Sequence, residues 1–287
     1  MPVKLAAVTM VYNEPDYMDL WRRHYSAQVG TENCYVIDHG SDDGTTDNLG
    51  AVNIVRLPRS PQDDDWRSKL VSDFASELLT RYDCVIYTDI DEILVADSRY
   101  HRHLTDAARA MRGPVMHAIG LEVWHLAAEE PAIDIARPIS EQRHWTWFNS
   151  ALCKPVFIRQ PVRWVPGFHS VDAPLALDRL YLFHLRYFDE ARGLARLART
   201  RTMPWANTDA EQHQRQPDQS WMRLVRDVAN LPKADGADLD TATPPLSALL
   251  QKTVDSQQGR EQDSYKIDLG IHGRSLLPIP RRFKGRF

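Results

Sequence analysis

Cys84-Val85-Ile86-Tyr87 is an unbroken apolar run, and one residue later it meets Asp89-Ile90-Asp91-Glu92. A short continuous apolar run bounded by polar residues is the pattern of a strand buried on both faces. Three carboxylates among the next four residues repel one another, and beside a buried strand they are costly unless something neutralises them. A divalent cation would do so, and hard oxygen donors suit Mg²⁺ or Mn²⁺. Along a continued strand, Asp89 and Asp91 would share side-chain parity, with Glu92 pointing elsewhere. In a solvated turn the same residues would instead supply a capping Asp.

Working outward, Trp66, Leu70, Phe74 and Leu78 mark an amphipathic helix before this run. Val52 to Leu57 and Cys34-Tyr35-Val36-Ile37 read as strands. Tyr17, Leu20, Trp21, His24, Tyr25 and Gln28 recur at helical spacing, with Gly30 as a stop. Leu5 to Val11 reads as a first buried strand. This β-α-β-β-α-β order predicts the α/β class, with a mostly parallel sheet flanked by helices. Beyond it, helices are expected near Leu104 to Met111 and from Asp189 to about Arg201, and strands near Val115 to Val123 and Leu180 to Leu185. Ala127 to Pro138 reads as a loop, and the stretch through His169 is irregular and rich in Trp, Pro and His. The alternation fades after Met111. We therefore expect one domain over residues 1–201, with halves at 1–112 and 113–201, and a mostly helical extension over 202–287.

The chain has 287 residues, 43% hydrophobic and 26% charged, enough for a proper core. Its formal net charge of -4 lacks the basic field of a nucleic-acid binder. Cys34, Cys84 and Cys153 are odd in number and lack metal-ligand spacing, which points to buried thiols in a reducing, cytoplasmic setting. The apolar stretch at Leu5 is too short for a membrane span and lacks the shape of a secretory leader.

Ligands of open α/β sheets bind beyond the carboxyl ends of the strands. Three polar clusters fall at such ends: Tyr12-Asn13-Glu14, Asp38-His39-Gly40-Ser41-Asp42-Asp43-Gly44-Thr45 and Asp89-Ile90-Asp91-Glu92. Any one alone could be a capped loop; three on one sheet edge point to a site. Together with Val11, Val36-Ile37 and Ile93-Leu94, these stretches resemble the motifs of family 2 glycosyltransferases and the related family 92-like group. The resemblance covers about the first 100 residues. It implies a Rossmann-like GT-A fold, with residues 1–112 as the nucleotide half and 113–201 as the acceptor half. It implies transfer of a sugar from a nucleotide-sugar donor, a UDP-sugar by expectation, to a glycan, lipid-linked or protein acceptor, with inversion. It further implies nucleoside contacts from Tyr12, Asn13, Glu14, Asp38, Ser41 and Asp42, and ribose and metal–diphosphate contacts from Asp89 and Asp91.

The chemistry of the residues agrees. The bond to the anomeric carbon breaks through an oxocarbenium-like transition state, by analogy with glycoside hydrolysis, and a metal stabilises the departing diphosphate. A general base would take the acceptor proton. Here the chain departs from the family 2 pattern: no Glu-Asp pair is followed by a Gln-x-x-Arg-Trp motif, and Gln142-Arg143-His144-Trp145 is a loose echo. Candidate bases are Glu92, His169 and Asp172. His184, at the end of an apolar strand, is a candidate third metal ligand beside Asp89 and Asp91. Lys154 is a candidate phosphate contact. Arg192, Arg196 and Arg199 share one helix face, and with Arg281, Arg282, Lys284 and Arg286 they could meet an anionic acceptor or the surface of an anionic membrane, or simply lie in solvent. Trp145, Trp147, Trp164 and Trp205 are candidates for stacking on sugar faces or for core packing.

Three other readings remain open. Asp89-x-Asp91 faintly echoes the nucleophile motif of haloacid-dehalogenase phosphatases, but it follows the fourth strand and not the first. A sugar nucleotidyltransferase would need a Gly-rich, basic loop where Tyr12-Asn13-Glu14-Pro15 stands. A non-catalytic carbohydrate-binding protein would not need clustered carboxylates.

Overall fold

The computed structural model describes residues 3–207, 214–261 and 264–287. Its first strands are β1 (Leu5–Val11), β2 (Cys34–Asp38), β3 (Asn53–Arg56) and β4 (Cys84–Tyr87). All seven residues of β1 and all four of β4 are buried. Strands without a polar face are stable in that position, and it requires helices on both sides. One cover is α1 (Pro15–Val29), which turns Tyr17, Trp21 and Tyr25 into the core and ends at Gly30 with φ of 90°. The other is α2 (Asp64–Leu78), started by the Asp63 side chain accepting the Trp66 N–H.

The sheet order through this half is β4-β1-β2-β3, every ladder parallel. The chain moves outward from β1 to β3 and then returns to the other flank of β1. The carboxyl ends of β1 and β4 therefore border a topological switch point, where such sheets open a crevice.

The second half extends the same sheet. Its elements are β5 (Glu92–Ala96), α3 (Leu104–Ala110), β6 (Val115–Trp124), α4 (Ile139–Gln142), β7 (Trp145–Phe148), β8 (Pro155–Ile158), β9 (Leu177–Tyr187) and α5 (Glu190–Thr202). β8 runs antiparallel between β4 and β6, while β9 runs parallel to β6 and antiparallel to β5. The α/β class, the helix cover and the parallel ladders of β1 to β4 agree with the alternation in the sequence. The antiparallel ladders are a feature the alternation did not carry.

Residues beyond Thr202 contribute α6 (Asp218–Ala229), α7 (Leu246–Asp255), the hairpin of β10 (Gln258–Glu261) and β11 (Ser264–Lys266), and β12 (Leu277–Pro278). β12 pairs with β7, and Leu277, Ile279 and Phe283 lie in the main core. Three of the four C-terminal bases are engaged internally, and Arg281 is exposed. Arg282 pairs with Asp97 and Asp238, Lys284 donates to the Arg143 carbonyl and Arg286 to the Arg102 carbonyl. Among the described residues no helix is long and apolar enough to cross a membrane.

Candidate active site

The crevice is a cavity of about 410 Å³ at the carboxyl edge of β1 and β4. One wall is the first polar cluster. Asn13 takes a positive φ of 52° and clasps Asp42: its Nδ2 donates to Asp42 Oδ1 at 2.7 Å and its Oδ1 accepts the Asp42 N–H at 3.0 Å. The Asn13 N–H donates to Ser41 Oγ and the Glu14 N–H to Thr45 Oγ1. Asp38 is turned into its own loop, accepting from Ser41 N–H, Thr46 Oγ1 and Arg56. Of this group Tyr12, Glu14 and His39 line the cavity; Asn13, Asp38, Ser41 and Asp42 form the knot behind them. Arg59 lies over the Tyr12 ring at 3.9 Å and donates to His39 Nδ1.

Asp89 to Glu92 form a turn, not a continuation of β4: the Glu92 N–H donates to the Asp89 carbonyl at 3.0 Å. The expected shared parity is therefore lost, and the two Asp side chains meet different partners. Asp89 is held by Arg67 of α2 and by Lys154 Nζ at 2.9 Å. Asp91 is held by Arg196 of α5 and by His184 of β9, whose Nε2 lies 3.0 Å away. Burial works against both carboxylates, but these cations outweigh it and hold each pKa below the usual range. Glu92 lies under the turn, with Oε2 accepting the Asp89 N–H at 2.9 Å and Oε1 taking Lys154 at 2.6 Å. Burial pushes its pKa up. Lys154 is itself buried. That disfavours its charge, but Asp89 and Glu92 overcome the effect and raise its pKa. It is a bonded strut that joins Asp89 to Glu92 at the edge of the cavity.

His184 stands between two carboxylates, Nε2 toward Asp91 and Nδ1 2.7 Å from Glu122 Oε2. Burial opposes its protonation, yet Glu122 and Asp91 raise its pKa to about 10. His169 also lines the cavity, with Nδ1 2.7 Å from the Ala151 carbonyl. Burial, assisted by Lys154, lowers its pKa to about 4, so the ring is neutral. A neutral ring donating from Nδ1 presents Nε2 as an acceptor. Asp172 is exposed and outside the cavity lining.

The residues present fit the divalent ion implied by the resemblance poorly. Asp91 and His184 aim a carboxylate oxygen and an imidazole nitrogen at one another, and the far nitrogen is already held by a carboxylate, the usual arrangement around a ligating histidine. Neither aspartate is free, however: Arg196 and His184 share Asp91 Oδ2, and Arg67 and Lys154 engage both oxygens of Asp89. Among the described residues no group of three or more His, Cys, Asp or Glu is placed to hold a metal. The ion would depend on a bound diphosphate for its remaining ligands.

The structure also recruits residues that motif reading passed over. Arg67, Glu122 and Asn149 line the cavity. Glu122 was detectable as a carboxylate inside the apolar run of β6. Arg196 and Arg199 bind Glu14 at 2.7 and 2.5 Å, and Arg192 binds Asp16; Arg196 also lines the cavity, while Arg199 is exposed. Of the four tryptophans, Trp205 lines the cavity and Trp164 is buried against Tyr87 and Phe168. Trp145 and Trp147 are half-buried, and Trp147 stacks on His272.

No protein-family model matches this chain, and no curated protein matches it. Among solved structures it is similar to the mannosyltransferase PcManGT from Pyrobaculum calidifontis in complex with GDP-Man and Mn²⁺, at 16% identity over 50% of this chain and 41% of that one, with a TM-score of 0.29. It is also similar to mannose-1-phosphate geranyltransferase from Thermus thermophilus, at 10% identity over 82% of this chain and 66% of that one, with a TM-score of 0.32. The chain thus spans less than two thirds of either protein's length.

Proposed function

We propose that this chain is a glycosyltransferase of the GT-A type that moves a sugar from a nucleotide-sugar donor, a UDP-sugar by preference, to an acceptor hydroxyl. The observation that carries the reading is convergence. Turns after β1, β2 and β4 present Tyr12, Glu14, His39, Asp89 and Asp91 to one cavity at the switch point of a parallel sheet. On this reading residues 1–112 bind the nucleotide, residues 113–201 meet the acceptor, and residues 202–287 extend the fold.

The nucleoside lies against Tyr12 and His39, on the loop that Asn13, Asp38, Ser41 and Asp42 hold in shape. Asp91 and His184 are the residues that would hold Mn²⁺ or Mg²⁺, which would supply Lewis-acid stabilisation to the departing diphosphate. Asp89 and Lys154 orient the turn beside it. Each of Glu14, Asp89, Asp91 and Glu92 is matched to a protein cation, so a diphosphate needs added positive charge. His169 Nε2 accepts the proton of the acceptor hydroxyl as its oxygen bonds to the anomeric carbon. The bond from that carbon to the phosphate oxygen breaks, and the configuration inverts. His169 is preferred over Glu92, whose oxygens are both engaged, and over Asp172, which lies off the cavity.

A thermal-shift screen of UDP-, GDP-, dTDP- and CMP-sugars, each with and without Mn²⁺, tests the reading. It expects one nucleotide class to raise the melting temperature, more so with Mn²⁺. No shift with any donor would defeat it.

A further inference from the structure

We propose that Gly167 is a positioning residue for His169: its missing side chain leaves the imidazole Nε2 uncovered, so that the acceptor hydroxyl can reach it across Gly167. The proposal rests on the reading of His169 as the general base.

His169 follows a turn whose backbone is left-handed twice in succession, at Gly167 (φ 80°) and Phe168 (φ 61°). A phenylalanine in that region is strained, and such a residue persists where its surroundings over-determine it. Phe168 is held in this way. It is buried, with its ring centroid 4.4 Å from that of Tyr87 and 6.2 Å from that of Trp164, and the Arg67 guanidinium lies 4.9 Å from the same ring. Tyr87 and Arg67 both donate to Asp89 Oδ1, so the wedge beside His169 is packed into the brace of the acidic turn. The ends of the loop are closed by the Val165 N–H, which donates to the Ser170 carbonyl at 3.2 Å.

The imidazole is fixed as well. Nδ1 lies 2.7 Å from the Ala151 carbonyl, and the opposite edge of the ring leans on Gly167. A Cβ at Gly167 would stand 2.7 Å from His169 Cδ2 and 2.8 Å from Nε2, closer than a real Cβ sits. With Phe168 anchoring the loop and Ala151 holding the ring, a methyl group would stay over Nε2. Gly167 and His169 both line the cavity, so the bare Cα borders the path from the cavity to Nε2. Left-handed backbone is a separate reason for glycine, and Gly236 isolates it: φ is 82° there, yet a Cβ would meet nothing within 4 Å.

Diethyl pyrocarbonate acylates a neutral imidazole nitrogen that it can reach. The test is its labelling of His169 at neutral pH, read by peptide mass spectrometry, in wild type, Gly167→Ala and Gly236→Ala. Wild type and Gly236→Ala are expected to label alike, and Gly167→Ala to label far more slowly. Unfolding would instead speed labelling, so the direction separates obstruction from damage. Gly167→Asn, a residue type that tolerates left-handed backbone, serves if Gly167→Ala does not fold. The same proteins are assayed for nucleotide release from the UDP- and GDP-sugars of the thermal-shift screen, with water as acceptor. Gly167→Ala should lose release by roughly 10²- to 10⁴-fold, as loss of a general base does, with UDP or GDP affinity unchanged. Labelling of His169 in folded Gly167→Ala or Gly167→Asn at or above the wild-type rate would overturn the assignment alone. So would wild-type release in Gly167→Ala, or an equal loss in Gly236→Ala. No release by the wild type from any of these donors would overturn the transferase reading and this role with it.

Discussion

Lys154 Nζ lies 2.6 Å from Glu92 Oε1, joining two buried side chains that stand 62 residues apart in the chain. The same ammonium reaches Asp89 Oδ2, so one lysine braces both ends of the acidic turn. Breaking a buried pair by removing one partner costs about 3–5 kcal/mol, because the other charge stays behind. Lys154→Met is therefore expected to lower stability by that order. Urea unfolding of the two proteins measures it, and a loss below about 1 kcal/mol would show that the turn is held otherwise.

Asp91→Asn separates two effects. Repulsion between Asp89 and Asp91 alone would predict a higher melting temperature once one charge is removed. The structure reverses that expectation, since Arg196 and His184 both lose their shared carboxylate. The variant should melt lower than wild type and lose Mn²⁺-dependent nucleotide binding by calorimetry. Unchanged affinity, or wild-type affinity insensitive to a chelator, would place the metal elsewhere.

His169→Ala is expected to reduce transfer by roughly 10²- to 10⁴-fold, the usual range for a general base, while leaving nucleotide affinity within about twofold. Asp172→Ala should leave transfer nearly unchanged, because Asp172 lies off the cavity. His169 is in its basic form above a pKa of about 4, so transfer by the wild type should fall as pH drops through that value. Steady-state rates for both variants distinguish the residues; a strong effect in Asp172→Ala and none in His169→Ala would exchange their roles.

Acid should destabilise the fold before its carboxylates titrate. Burial lowers His24 to about 4 and His117 to about 3. A histidine neutral in the fold contributes stability that is present above its unfolded pKa near 6.5 and is lost as the unfolded chain takes up the proton below it. Between about pH 6.5 and 4 each such ring should cost up to about 1.4 kcal/mol per pH unit. His117→Gln should flatten this slope in urea unfolding at stepped pH. An equal slope in both proteins would mean that His117 is protonated in the folded state.

Asp38→Ala tests the loop behind Tyr12. It removes the acceptor for Ser41 N–H, Thr46 Oγ1 and Arg56, so the clasp between Asn13 and Asp42 should loosen. Calorimetry should then show weaker binding of free UDP or GDP even in a chelator. Unchanged binding would remove this loop from the nucleotide site.

The sequence by itself determined the parallel half of the fold and the edge on which the site lies. Leu5–Val11, Cys34–Asp38 and Cys84–Tyr87 have no polar face, and a strand of that kind is stable only when covered on both sides. Polar clusters directly after such strands must emerge at their carboxyl ends, so Tyr12, Asp38 and Asp89 were legible as neighbours. β5 was not legible, because Glu92–Ala96 follows a tight turn and pairs only with the distant β9. The partners of the acidic turn were decided by tertiary structure alone. Arg67, Lys154, His184 and Arg196 lie 22, 65, 93 and 105 residues from the aspartates they bind. Local pattern encodes period and burial, so Arg192, Arg196 and Arg199 read as one helix face. Which face returns over the sheet edge depends on the packing of α5 against β9, and that packing turned a row of solvent-like arginines onto Glu14 and Asp91.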